Sequence, residues 1–169
     1  YVPNDVTLKS LNTEREGKIK SRPIEVLAVE SFGNIILRGT GGIGKSMMMR
    51  HLFLHFAEKF SETGILPVLV SLKNFTNQVT SLETFLYNAA HEFDHDLTFD
   101  DFDPSIKNGK CLVLLDGLDE IPGSARHHFD NTLANFIKAY QRNHIVVSSR
   151  PTSNFVQFGH FLVFDVEPF

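Results

Sequence analysis

The sequence lacks the features that mark membrane and exported proteins. Its longest aliphatic stretch, residues 112–115, is far shorter than the roughly 20 apolar residues that a membrane-spanning helix needs. The chain does not open with a basic region followed by an apolar region, as a secretory signal does. We therefore expect this segment neither to insert into a membrane nor to bind one.

Positive charge and cysteine are also scarce. Lysine and arginine number 16 against 20 aspartates and glutamates, which gives a net charge of -4 and a pI of about 6.0. Proteins that wrap nucleic acid usually show a basic patch or a high pI, so no direct nucleic-acid binding is expected. The single cysteine, Cys111, has no partner for an internal disulfide and opens an apolar run. This favours a buried thiol in a reducing compartment, and hence a cytoplasmic protein.

Short apolar runs alternate with segments of helical spacing along the chain, without an internal repeat. The runs predict five strands, at residues 34–38, 66–72, 111–115, 145–148 and 161–164. The spacing predicts a helix after Lys45, a second after an N-cap at Ser81, a third at about 125–140, and a short one from Pro23 to about Glu30. This order predicts an α/β fold of three layers, with a mainly parallel five-stranded sheet and helices on both faces.

Each of the three longer helices has a predicted apolar face toward the core. These faces are formed by Met49, Leu52, Phe53, Phe56 and Phe60; by Leu82, Phe85, Leu86, Ala89 and Phe93; and by Phe129, Leu133, Phe136, Ile137 and Tyr140.

A glycine-rich segment stands between the first predicted strand and the first long helix, and it fits the P-loop pattern G-x-x-x-x-G-K-[ST]. Glycines let several backbone N–H groups point at phosphates, and the helix N-terminus adds a favourable dipole. Lys45 would supply charge to the β and γ phosphates, and the Ser46 hydroxyl would ligate Mg²⁺. The predicted nucleotide-binding residues are Gly39, Thr40, Gly41, Gly42, Ile43, Gly44, Lys45, Ser46 and Met47.

Acidic residues follow the apolar run that begins at Cys111. A carboxylate at the end of a buried parallel strand lies beside the P-loop, so Asp116 is predicted to associate with the metal through water, beside the ligand Ser46. The alternative is that Asp116 only begins a turn. Asp119 or Glu120 would orient or deprotonate an attacking water, but the residue types do not decide which. Carboxylates favoured by a helix dipole are the alternative for both.

Arg150 follows the fourth predicted strand. The parallel order brings that end of the strand to the same edge of the sheet as Lys45 and Asp116. Arg150 is therefore predicted to sense the γ-phosphate of a bound nucleotide. A surface arginine, or one paired with Asp119, is the alternative.

Together these segments resemble a NACHT domain, of the signal-transduction ATPases with numerous domains. The resemblance rests on three segments, Gly39 to Ser46, Asp116-Gly117-Leu118-Asp119-Glu120, and Ser148-Ser149-Arg150-Pro151. The wording of the glycine loop is also similar to the related NB-ARC class. The resemblance implies a P-loop NTPase fold, binding of ATP or ADP with Mg²⁺, and slow hydrolysis. It further implies a switch from a closed monomer to an ATP-bound oligomer, in innate immune or anti-phage defence.

The resemblance covers about residues 30 to 169. Residues 1–30 are accordingly interpreted as a lead-in, and residues 31–169 as the P-loop core. The family implies a helical lid and a winged-helix domain after this core, with effector and sensor domains elsewhere. Because the chain begins at Tyr1 and ends directly after a predicted strand, we expect it to be a segment of a longer protein.

Two other functions fit a P-loop: a kinase that transfers phosphate to a small acceptor, and a scaffold that binds nucleotide without hydrolysing it. The paired acids after Asp116 favour water as the acceptor. ATP is preferred over GTP because no guanine-reading N/T-K-x-D segment is present.

Three further patterns are interpreted as structural. His91 and His95 match H-E-x-x-H of zinc proteases, but Phe93 on the same helix was assigned to the core, which turns both histidines to solvent. His51 and His55 lie four residues apart on a partly polar helix face. The acidic run at residues 94–103 lacks the glycine and glutamate of a calcium loop and is interpreted as a solvated surface segment.

Overall fold

One six-stranded sheet organises the chain in a computed structural model, which describes residues 6–8, 33–153, 158 and 160–166. The strands are β1 (Val6–Leu8), β2 (Asn34–Arg38), β3 (Leu66–Ser71), β4 (Cys111–Asp116), β5 (His144–Ser149) and β6 (Phe161–Val166). The α-helices are α1 (Lys45–Glu58), α2 (Phe60–Thr63), α3 (Leu82–Phe93), α4 (Phe99–Lys107) and α5 (Gly123–Ala139). Two 3-10 turns follow β3 and β4, at Leu72–Asn74 and Leu118–Glu120.

The strand order is β1-β6-β2-β5-β4-β3. All neighbouring pairs from β6 to β3 are parallel, which confirms the predicted α/β fold with five parallel strands. The short β1 adds a sixth strand, antiparallel to β6, within the segment interpreted as a lead-in. The helix predicted from Pro23 to Glu30 lies outside the described residues.

Two apolar clusters cover the two faces of the sheet. Alternate residues of β4 enter different clusters: Val113 packs with α3, α4 and α5, whereas Leu112 packs with α1. This division is expected for a central parallel strand that is covered on both sides. Within the residues that the structure describes, no helix combines the length and apolar character needed to cross a membrane.

Two aromatic side chains assigned to the core are exposed instead. Phe60 is 46% exposed, because α1 ends at Glu58 and Phe60 begins the separate short helix α2. Phe93 is 74% exposed, because it is the last residue of α3, although its ring contacts that of Phe53 edge-to-face.

The end of α3 also corrects the orientation predicted for His91. Its ring stacks on Tyr87, and its Nδ1 atom is 3.0 Å from the carbonyl oxygen of Leu97, so His91 is half-buried rather than turned to solvent. His95 lies beyond the last residue of the helix, yet its ring contacts that of His91 edge-to-face, with 5.6 Å between the ring centroids.

The acidic segment interpreted as a solvated surface segment forms helix α4. Thr98 caps it, since its hydroxyl accepts from the Asp101 N–H and the Asp101 carboxylate accepts from the Thr98 N–H. Phe102 and Ile106 point into the core, whereas Asp100 and Asp101 stay exposed. The segment therefore enters an amphipathic helix, and its acidic side chains near the N-terminus stabilise that helix through the helix dipole.

Cys111 gives a test of the buried central strand. Burial raises the pKa of its thiol from the ordinary 9.0 to about 12. Because the thiolate is the reactive form, a maleimide at about pH 8 should modify the native chain at least about 100-fold more slowly than the urea-unfolded chain. Mass spectrometry measures both rates, and equal rates would contradict the buried position. Since the folded-state pKa lies above the unfolded value, native stability should fall as the pH rises from about 9 toward 12.

Candidate functional site

The glycine-rich segment connects β2 to the N-terminus of α1. Gly44 precedes the helix with φ of 96°, a left-handed conformation that favours glycine. No side chain caps α1, and its first turn carries no acidic residue. The first N–H groups of a helix lack partners within the helix, and together with the helix dipole they attract anions. The start of α1 is thus suited to bind a phosphate group.

Lys45 lies across this loop. Its Nζ atom donates to the carbonyl oxygens of Gly39 at 2.6 Å and Thr40 at 2.8 Å. Burial lowers the pKa of Lys45, and the nearby Asp119 carboxylate acts in the opposite direction. The loop therefore holds a partly desolvated cation next to the uncapped start of α1.

Asp116, at the end of β4, is fixed by the neighbouring strand β5. The Ser148 hydroxyl donates to Oδ1 of Asp116 and accepts from the Gly117 N–H at 2.9 Å. Ser148 is only 1% exposed. Ser148 is not one of the predicted site residues, although a polar residue near the end of a strongly apolar strand is a signal that the sequence contains. Its position shows that the carboxylate and the turn after it are held by one buried hydroxyl.

Arg150 pairs with Asp119, which was one of the alternatives that the sequence left open. Oδ1 of Asp119 accepts from the Arg150 backbone N–H at 3.0 Å, and Oδ2 lies 3.1 Å from Nε of the guanidinium. A Cβ atom placed on Gly41 would lie 3.9 Å from that guanidinium. The pair therefore brings a cation to the side of the glycine-rich loop.

Glu120 is arranged differently from Asp119. Gly117 has a φ of 85°, and a Cβ added to it would lie 3.1 Å from the Glu120 carboxyl carbon. The Glu120 side chain thus folds back over the turn. No hydrogen bond or salt bridge from another described residue holds its carboxylate.

Most of the predicted site residues line one cavity of about 240 Å³. Four predicted residues do not line it. Gly39 and Thr40 contribute the carbonyls that hold Lys45, Ile43 packs against the apolar cluster that contains the buried residues of α1, and Met47 is 50% exposed. The lining residues are Gly41, Gly42, Gly44, Lys45, Ser46, Asp116, Gly117, Asp119, Glu120, Ser148 and Arg150.

A larger cavity of about 530 Å³ lies at the edge strand β3, between α1 and α3. Apart from Arg50 and Asp94 its lining is apolar, with aromatic side chains such as Phe53 and Phe93. It offers no glycine loop and no uncapped helix start, so the smaller cavity is the candidate phosphate site.

The oxygen atoms at this smaller cavity fit a magnesium ion. No cluster of three histidine, cysteine or acidic side chains able to hold a metal occurs in the described part of the chain. Magnesium commonly uses one or two protein oxygens and completes its shell with water and substrate phosphates. Ser46 and Asp116 are of that type.

A glycine loop after a parallel strand, a lysine at the helix start and an acid on a nearby strand end define a P-loop nucleotide-binding domain. The sequence model of the NACHT domain matches residues 34–169. The chain belongs to the NACHT family, a class of nucleotide-binding P-loop NTPase domains. No curated protein matches its sequence.

Solved structures similar to this chain include C. elegans PCH-2 and Saccharomyces cerevisiae RIF2. The first is 16% identical, with a TM-score of 0.47, over 85% of this chain and 37% of that one. The second is 14% identical, with a TM-score of 0.48, over 86% of this chain and 54% of that one. The chain thus spans less than two thirds of either protein.

Ser148 gives a test of how Asp116 is held. In the Ser148→Ala variant the buried Gly117 N–H loses its acceptor, which should cost about 1–3 kcal/mol of unfolding free energy. Urea unfolding followed by circular dichroism measures the loss. Ser149→Ala is the matched control, because the Ser149 hydroxyl bonds Ser153 rather than Asp116, and its smaller loss should be about 1 kcal/mol. Wild-type stability in the Ser148 variant would show that this hydroxyl does not hold the turn.

Proposed function

We propose that this chain is the ATP-binding and slowly hydrolysing core of a NACHT-type regulatory switch. The observation that carries the proposal is the single cavity in which the uncapped start of α1, Lys45, Ser46 and Asp116 meet. Each of these groups suits one part of a nucleoside triphosphate with its metal.

The phosphates would lie on the glycine loop. The N–H groups at the start of α1 would bind the β-phosphate, and the Lys45 ammonium would leave the Gly39 and Thr40 carbonyls to bind the β- and γ-phosphates. Ser46 and Asp116 would hold Mg²⁺, which would supply positive charge to offset the charge of the phosphates.

The proposed water-activating base is Glu120. A general base needs a lone pair free to accept a proton from the attacking water. Both oxygens of Asp119 are engaged by Arg150, whereas the Glu120 carboxylate lines the same cavity and accepts no hydrogen bond from another described residue. Arg150 would bind the γ-phosphate and report its presence.

The regulatory part of the proposal rests on the family. ATP in place of ADP would favour an open form that self-associates, with effector and sensor domains outside this segment, in innate immune or anti-phage defence. The lone buried thiol of Cys111 suits the cytoplasm as its compartment.

Replacement of Glu120 tests the hydrolytic role. Glu120→Gln should slow phosphate release by about 100-fold or more, the usual range for a lost general base, while ATP affinity changes little. Single-turnover reactions of this chain with radiolabelled ATP and Mg²⁺ measure release, and calorimetry measures affinity. Glu92→Gln, an exposed change on α3 away from the cavity, is the matched control.

The same reactions separate the alternative functions. Label that passes to an added small acceptor instead of water would identify a kinase. Bound ATP that stays intact would identify a scaffold. A wild-type rate in the Glu120 variant would contradict its assignment as the base.

A further inference from the structure

The contact between Asp119 and Arg150 joins the turn after β4 to the end of β5. It uses both carboxylate oxygens, one for the Arg150 backbone N–H at 3.0 Å and one for Nε at 3.1 Å. A carboxylate bound in this way fixes the main chain of the arginine as well as its side chain. The pair is therefore more specific than an ion pair between two flexible surface side chains.

The acid is the more buried partner of the two. The Asp119 side chain is 17% exposed, and the Arg150 side chain is 59% exposed. Asp119 lies in the 3-10 turn Leu118–Glu120, which the hydrogen bond from the Glu120 N–H to the Gly117 carbonyl closes at 2.9 Å. Asp119 is thus a fixed anchor for a more exposed cation.

The guanidinium keeps donors available. Arginine carries five N–H donors in a planar fork, and the salt bridge to Asp119 lies on the Nε side of that fork. No other described residue bonds the terminal nitrogens, and the guanidinium lies beside the glycine-rich loop. The donors that suit a phosphate are therefore left unused at the phosphate-binding segment.

Asp119 also balances positive charge at this position. It is the strongest influence raising the pKa of Lys45, and Arg150 is the strongest neighbouring charge lowering it. Two cations directed at the same loop repel each other, and the acid between them reduces that repulsion. The Lys45 ammonium and the Arg150 guanidinium can therefore lie close enough to contact the same ligand.

We propose that Asp119 is a positioning residue that holds Arg150 for the terminal phosphate, and that it thereby sets the preference of the site for a nucleoside triphosphate over a diphosphate. The inference rests on the proposed function. Asp119 acts through Arg150, and Glu120 is left as the group that activates water.

The test compares the affinity for a non-hydrolysable ATP analogue with the affinity for ADP, both with Mg²⁺, by calorimetry on this chain. Asp119→Asn should lower the ratio of triphosphate to diphosphate affinity about tenfold, the scale of one charge-assisted hydrogen bond. Loss of negative charge alone would raise the ratio, because ATP is the more highly charged ligand. The direction of the change therefore separates positioning from a simple charge effect.

Three comparisons make the result specific. Glu120→Gln removes a neighbouring acid that does not contact Arg150, so the ratio should not fall. In an Arg150→Gln background the Asp119→Asn change should have no further effect, since Asp119 acts through the arginine. Asp119→Glu keeps the carboxylate and should retain most of the ratio, which covers the case in which the asparagine variant does not fold.

An unchanged or raised ratio in a folded Asp119→Asn variant would overturn the inference, and so would additive effects of the two changes. If the wild-type chain binds both nucleotides and the Asp119→Asn variant has the same affinity ratio, the inference fails and the proposed function stands. Wild-type chain that binds neither nucleotide overturns the proposed function, and this inference with it.

Discussion

The parallel position of β5 between β2 and β4 is the constraint on which the site depends. The last residues of β5 bond in both directions: the Ser149 carbonyl accepts from the Gly39 N–H at 3.2 Å, and the Ser148 hydroxyl holds Asp116 and the turn that follows it. One strand end therefore sets the separation between the phosphate loop and the acids. Parallel pairing brings these ends to the same edge of the sheet, as expected for ligand binding in α/β folds.

The charges at this edge of the sheet support the proposed metal site. The cavity holds two cations, Lys45 and Arg150, against three acids, Asp116, Asp119 and Glu120. A polyphosphate would add further negative charge to an already acidic set, so a divalent cation between the acids and the phosphates is electrostatically favourable. The uncapped start of α1 contributes additional positive potential without a side chain.

Much of this organisation follows from local sequence signals. Runs such as Cys111 to Leu115 have no polar residue and predict buried strands. The glycine-rich segment predicts a loop between a strand and the start of a helix. The sequence could not show where helices end: Phe60 and Phe93 have the right spacing, but α1 ends at Glu58 and α3 ends at Phe93, and both side chains are exposed. Helix α4 was missed because Pro104 and a dense set of acids hid the capping box at Thr98. The roles of Ser148 and of the Asp119–Arg150 pair depend on contacts between strands distant in sequence, which no local pattern contains.

Residues 39–46 are proposed to bind the phosphates of a nucleotide, and calorimetric titration of Mg²⁺ and ATP into this chain measures that binding. The wild-type chain should bind, and Lys45→Ala should weaken the affinity at least about tenfold through loss of a charge-assisted contact to phosphate. Lys59→Ala, at an exposed lysine just past the end of α1, should bind like the wild type. Unchanged affinity in the Lys45 variant would show that this loop does not bind the nucleotide phosphates.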